Sequence, residues 1–268
     1  MPRVTFIATL TLLALSGGST VVFGAELGPS AAANYAAYFE RAAAAFIDRA
    51  LNASPGGTPD RAALLRAGQV LAEPGSGDGI LSGPDSLVHH WRGDIFIPGV
   101  TLDQVVELSQ SYAEYPRIFH PVKRASVLAG TADGFRVQFR MRQSGGGLSA
   151  TLDVRTRVQY VRPRGDRAYV VSRSEEIREV KNPDGPNEYQ LPEGKDSGYL
   201  WRAGALTQFV AVPGGVFMAM ETVGMSRPFP PLLGWLIEPV ARRIGRQSVE
   251  ESMREFKQAV IARNRAGA

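Results

Sequence analysis

Apolar and polar positions alternate with a period of two through much of the chain's second half, the signature of half-buried strands. Phe135, Val137, Phe139 and Met141 alternate with Arg136, Gln138, Arg140 and Arg142; Leu152, Val154, Val158 and Tyr160 alternate with Asp153, Arg155, Arg157 and Gln159. Further strands are expected over Leu87–Pro98, Val122–Leu128 and Arg167–Val180, the last turning at Asn182-Pro183-Asp184-Gly185. Tyr199–Val210 and Val216–Met225 read as a hairpin across Pro213-Gly214-Gly215. Short turns between successive strands imply an antiparallel meander.

Near-helical spacing marks both ends of the chain. Ser30–Leu51, with Tyr35, Tyr38, Phe39, Phe46 and Ile47, predicts one helix, and Arg61–Leu71 a shorter one. The Gly, Pro and Ser content of Glu73–Pro84 reads as a loop. Thr101, with Gln104 three residues on, forms a capping box that opens a helix carrying Leu102, Val105, Val106 and Leu108. Tyr112–Phe119 is a second short piece stopped by Pro121. Leu232–Ile244 reads as an apolar helix kinked at Pro239, and Ser248–Asn264 as a final helix with Val249, Met253, Phe256 and Val260 on one side.

The order strand, two short helices, six strands, long helix resembles the helix-grip fold of the START and polyketide-cyclase (SRPBCC) superfamily. The resemblance is carried by Trp91 to Thr101, by Tyr115-Pro116-Arg117-Ile118-Phe119 before Val122, by Gly198-Tyr199-Leu200-Trp201-Arg202 and by Gly214-Gly215-Val216-Phe217. It covers about Leu87 to Val260, contains no invariant catalytic motif, and speaks to fold more than to activity. It implies an α+β domain in which a curved antiparallel sheet of about seven strands wraps a long C-terminal helix around an apolar cavity. The expected divisions are a secretory signal at 1–25, a helical extension and linker at 26–84, and the START-like helix-grip domain at 85–268.

The signal is read from a short basic start at Arg3, the apolar run Val4–Leu15, and small residues before Glu26. Ser16-Gly17-Gly18-Ser19 interrupts the run too early for a span of about 20 residues. Export to the periplasm or the exterior is therefore expected, with retention as an anchor the alternative. The chain has 268 residues, a formal charge of +4 from 30 basic and 26 acidic residues, and no cysteine. The mixed charge gives no nucleic-acid footprint, and the missing thiols exclude disulfides, thiolate metal sites and cysteine nucleophiles.

Candidate chemistry is sparse. Adjacent strand residues His89 and His90 point to opposite faces and cannot chelate one ion together, and His120 sits at a helix end. No serine stands in a nucleophile elbow, and Gly145-Gly146-Gly147 joins strands without the Lys-Ser or Lys-Thr of a phosphate loop. The charges Arg173, Glu175, Glu176, Arg178 and Glu179 read as solvated strand ladders.

Arg202 and Glu221 stand in apolar stretches of the last hairpin, either paired across it to orient a ligand's polar end or facing solvent. Met218, Met220, Met225 and Met253, beside Phe217, Phe229, Trp235 and Phe256, are adaptable apolar side chains suited to a core or a pocket. The cavity candidates are Tyr199, Trp201, Arg202, Met218, Met220, Glu221, Trp235, Met253 and Phe256. Leu232–Ile237, with Arg242, Arg243 and Arg246 nearby, suits a lid or a shallow membrane contact.

The leading expectation is binding, with transfer as an optional extension, of a hydrophobic ligand such as a lipid, isoprenoid or quinone in an internal cavity outside the cytoplasm, with no cofactor or metal. The alternatives are a cyclase or aromatase-type enzyme using Tyr199, Glu221 and Arg202, and an interaction module with a filled core. Oligomeric state is left open.

Overall fold

A computed structural model of the chain describes residues 25–145, 148–229 and 234–266. The expected signal segment lies outside the described residues, as do Gly146, Gly147, Leu232 and Leu233.

The strand β1 (Ala25–Glu26) leads into α1 (Pro29–Asn52), which starts with Pro29 at its first position and buries Tyr35, Phe39, Ala43, Phe46 and Ala50 along one side. A turn with Gly56 and Gly57 at positive φ connects it to α2 (Pro59–Arg66), capped by the Thr58 hydroxyl. Then follow β2 (Val70–Pro74), β3 (Ile80–Gly83), β4 (Ser86–Pro98) and α3 (Leu102–Gln110), which has the full Thr101/Gln104 capping box. A 3-10 turn at Tyr112–Glu114 and α4 (Tyr115–Ile118) precede β5 (Val122–Gly130), β6 (Gly134–Gly145), β7 (Leu148–Arg164) and β8 (Arg167–Lys181). The chain closes with β9 (Tyr189–Gln190), β10 (Lys195–Asp196), β11 (Arg202–Val212), β12 (Gly215–Ser226) and α5 (Gly234–Ala266).

The strands form one ten-stranded antiparallel sheet in the order β2-β4-β12-β11-β8-β7-β6-β5, with β3 added to β4 and β9 to β8; β1 pairs with β10 apart from it. With α5 gripped on one face, this is the helix-grip α+β fold.

Three sequence expectations are corrected. The helix expected over Arg61–Leu71 ends at Arg66. Val70 and Leu71 instead open β2, where their backbone groups join β4, and the Gly68 left-handed turn separates the two elements. Part of the expected Glu73–Pro84 loop is β3, and with β2 and β9 it brings the sheet to ten strands rather than about seven. The two expected terminal helices are one. Pro239 lies in the second turn of α5 with its ring exposed, where water can satisfy the carbonyl that it leaves without an N–H partner.

Side chains on the two faces of the sheet pack in separate clusters. On one face Val249, Met253, Phe256 and Val260 of α5 meet Ile95, Val137, Val158, Phe209 and Met218, with α3 alongside. Gly93 permits this approach, since a Cβ there would lie 2.7 Å from both Met253 Sδ and Val249 Cγ1. On the other face α1 packs on Val88, Val171, Leu206, Val223 and Met225. Gly204 makes room for Phe39, whose Cε2 would be 2.0 Å from an added Cβ. Polar ties fix α1 there: Tyr35 donates to the Val223 carbonyl at 3.0 Å, Gln208 to Ala50 at 2.8 Å, and Arg167 to Ala50 and Leu51 at 3.1 Å.

Candidate functional site

On the α1 face, a chain of polar groups runs into the interior. The Tyr38 hydroxyl is 2.8 Å from His90 Nδ1, His90 Nε2 is 3.1 Å from Glu221 Oε2, and Arg49 donates to Glu221 Oε1 at 2.6 Å. His90 and Glu221 are both buried and both paired, as buried polar groups must be. Beside them Arg61 holds Asp94 at 2.5 Å and Glu73 at 3.1 Å, and Arg92 holds Glu73 at 3.0 Å. These groups rim a cleft of about 310 Å³ between the 53–58 turn, α2 and the sheet. Three arginines face three carboxylates there, so each charge is answered by a neighbour and the cluster fastens the N-terminal helices to the sheet.

Burial pushes the Glu221 carboxyl up, but the His90 hydrogen bond and the Arg49 charge outweigh it and hold the group below its usual range. A lowered folded-state pKa contributes stability above the unfolded value, which is lost as pH falls through the folded value. Glu221→Gln is expected to lower the unfolding free energy at pH 7 by about 1.5–3 kcal/mol and to flatten its decline below pH 5. Urea unfolding of both proteins from pH 7 downward measures this; equal stability at pH 7 would remove the relay from the account.

The α5 face differs. Cross-strand register places Ser172, Ala205, Thr222 and Trp91 in one row across β8, β11, β12 and β4. Trp91 is buried under α5, whereas Ser172, Ala205 and Thr222 are only half-buried. The neighbouring rows repeat the pattern: Thr207 and Met220 between buried Val170 and Gly93, then Ala203, Gly224 and His89 beside buried Ile80. On the opposite face of β11 and β12, Leu206, Glu221, Val223 and Met225 are fully buried. An antiparallel sheet can leave part of a face to solvent, and this half-buried strip of small side chains on the α5 side, backed by fully buried residues on the α1 side, is the candidate groove. Its floor is small and weakly polar. Leu200 borders it next to Gly224, and Tyr199, Phe139 and Met141 pack together on the flank.

One end of the α5 face is closed. Tyr112 donates to the Tyr160 hydroxyl at 3.0 Å, while Tyr160 and Tyr115 donate to the Ser109 carbonyl at 2.7 and 2.6 Å. Desolvation pushes all three phenols above their ordinary range, so they are hydrogen-bond donors and not bases.

The nine candidate residues fall into three places. Met218, Met253 and Phe256 pack between α5 and the sheet, Met220 lies on the groove floor, and Tyr199 is on its flank, donating to Gln143 Oε1 at 3.4 Å. Trp201, Arg202 and Glu221 lie on the α1 side. Arg202 and Glu221 do not meet across the hairpin: Arg202 stands opposite Met225 and Glu221 opposite Leu206. Arg202 instead donates to Glu193 at 2.7 Å, and the Trp201 indole to Asp196 at 3.1 Å. Met225, grouped with the other methionines by sequence, also faces α1. Trp235 projects from the first turn of α5 at 76% exposure, outside any cavity.

His89 and His90 do point to opposite faces, His89 into the groove side beside Ser226 and His90 to the relay. His120 is exposed, its backbone N–H on Glu255. Among the described residues, no three His, Asp or Glu side chains gather to hold a metal ion. No described helix is long and apolar enough to cross a membrane. Sequence reasoning missed the groove floor. Ala203, Ala205 and Thr222 carry no chemical signal of their own, and only cross-strand register brings them together.

No family model matches the chain, and no curated protein matches it. Solved structures do. The human StAR-related lipid transfer protein 5 shares 12% identity over 87% of this chain and 99% of its own, with a TM-score of 0.43. A STAR-related lipid transfer protein from Xanthomonas axonopodis shares 16% over 68% and 99%, with a TM-score of 0.43. The Zhui aromatase/cyclase from Streptomyces sp. R1128 shares 12% over 68% and 98%, with a TM-score of 0.45.

Proposed function

We propose that this chain binds a hydrophobic small molecule, such as a lipid or isoprenoid, in the groove between α5 and the inner strands, outside the cytoplasm. The carrying observation is the half-buried row Ser172, Ala205 and Thr222 beside buried Trp91. An apolar body laid along that floor is stabilised by about 25 cal/mol for each Å² taken from water. The weakly polar floor leaves orientation to a few hydrogen bonds.

Transfer is part of the reading. Trp235, Leu236 and Val240 are exposed at 76%, 48% and 40% on the first turns of α5, with Arg243 close by in sequence, while Arg242 and Arg246 are paired with Asp78, Glu238 and Glu250. Apolar side chains beside basic ones suit shallow contact with an anionic lipid surface.

The enzyme reading is weaker. Arg202 and Glu221 are tied up on the α1 side, and burial pushes the Tyr199 phenol up, away from useful acid–base chemistry at neutral pH. A fully filled core accounts for the Phe256 region but not for the open floor.

Protein recovered from the periplasmic or culture fraction of its source cell is expected to carry a stoichiometric apolar molecule in native mass spectrometry. Stripped of it, the protein should bind the neutral probe N-phenyl-1-naphthylamine saturably and co-sediment with anionic vesicles. Recovery from the cytoplasm alone counts against export. An empty protein with no saturable probe uptake counts against the groove.

A further inference from the structure

One group on the groove floor differs in kind from the others. The hydroxyls of Ser172, Thr207 and Thr222 rotate and can donate or accept, so they discriminate little between polar ends of a ligand. His89 is half-buried in the row of Gly224 and Ala203, and its ring is fixed by a neighbour. Its Nε2 lies 2.8 Å from Ser226 Oγ, and Ser226 Oγ donates to the Arg227 carbonyl at 3.1 Å.

A serine hydroxyl has one proton and a carbonyl only accepts. Both contacts exist together only when His89 Nε2–H donates to the serine oxygen. The second ring nitrogen, Nδ1, then carries a lone pair with no partner among the described residues. Desolvation holds the imidazole pKa down to about 4, so the ring stays neutral and Nδ1 stays an acceptor through the physiological range. His90 next door is no substitute, because it faces α1 with both nitrogens engaged.

We infer that His89, locked in one tautomer by Ser226, makes the groove selective for apolar molecules whose polar end donates a hydrogen bond. Alcohols, phenols and quinols fit; ethers, esters, quinones and carboxylates meet a lone pair with a lone pair. The inference rests on the groove being the ligand site.

Geranylgeraniol and its methyl ether, competing against N-phenyl-1-naphthylamine, separate the two ideas. The wild-type chain is expected to bind the alcohol about tenfold more tightly than the ether. His89→Phe is expected to bring the two to equal affinity. Ser226→Ala, which frees Nε2 and lets the ring change tautomer, should narrow the ratio without removing the imidazole. Long-range 1H–15N correlation spectra should show His89 protonated on Nε2 in the wild type. If both compounds displace the probe equally, or the preference survives His89→Phe, selection by His89 is overturned while the groove stands. The opposite tautomer in the spectra overturns it even if His89→Phe fails to fold. If neither compound nor the probe binds, the groove reading and this inference fall together.

Discussion

Ala205→Phe is expected to reduce probe binding by more than tenfold while leaving the folded state in place. Ala205 is half-buried at the centre of the open row, flanked by Ser172 and Thr222. Ala205 belongs to none of the buried core clusters, so a benzyl group is expected to project from the floor rather than into a filled core. Overpacking a core commonly costs about 1–3 kcal/mol; here the thermal midpoint should move by only a few degrees. Fluorescence titration beside a melting curve reads both quantities. Unchanged binding in a folded variant would mean that the ligand does not cross this row. A collapse in stability would mean that the row is already covered.

Phe256→Ala tests the other half of the same face and should give the reverse result. Phe256 is 3% exposed, stacked on Phe209 at 5.9 Å between centroids and on Phe119 at 6.5 Å. Removing a buried phenyl costs about 3–5 kcal/mol, because transfer energy and a cavity term add. Urea unfolding should show this loss with little change in slope. A loss below about 1 kcal/mol would show that α5 is not held to the sheet at this point. Together the two variants divide the α5 face into a packed end near α3 and α4 and an open end toward His89.

The division explains what could be read beforehand. The strands from Phe135 to Tyr160 were legible because a half-buried sheet repeats every two residues, and the Thr101 start because a capping box needs a fixed spacing. The α5 stripe Val249, Met253, Phe256 and Val260 was legible for the same kind of reason. The β2 and β3 strands were not, since short segments beside glycines and prolines show no period and form by pairing with β4. Arg202 and Glu221 were visible as charges in apolar runs, but their partners Glu193 and Arg49 are distant or lie in a loop. Local pattern could not supply them. Nor could it show that His89 and Ser226, 137 positions apart, share a hydrogen bond.

The ties between α1 and the sheet bear on how a bulky guest could enter. Tyr35, Gln208 and Arg167 bind α1 to β12, β11 and β8 at several points, and the Arg49–Glu221 pair adds another. These are the same strands that make the groove floor, so the floor is braced from behind by α1. The least secured part of α5 is its first turns, where Pro239 leaves a backbone bond unmade and Trp235 is 76% exposed. If the groove holds a guest, the molecule resembles a clamp with one fixed jaw, its rigid side being the sheet tied to α1.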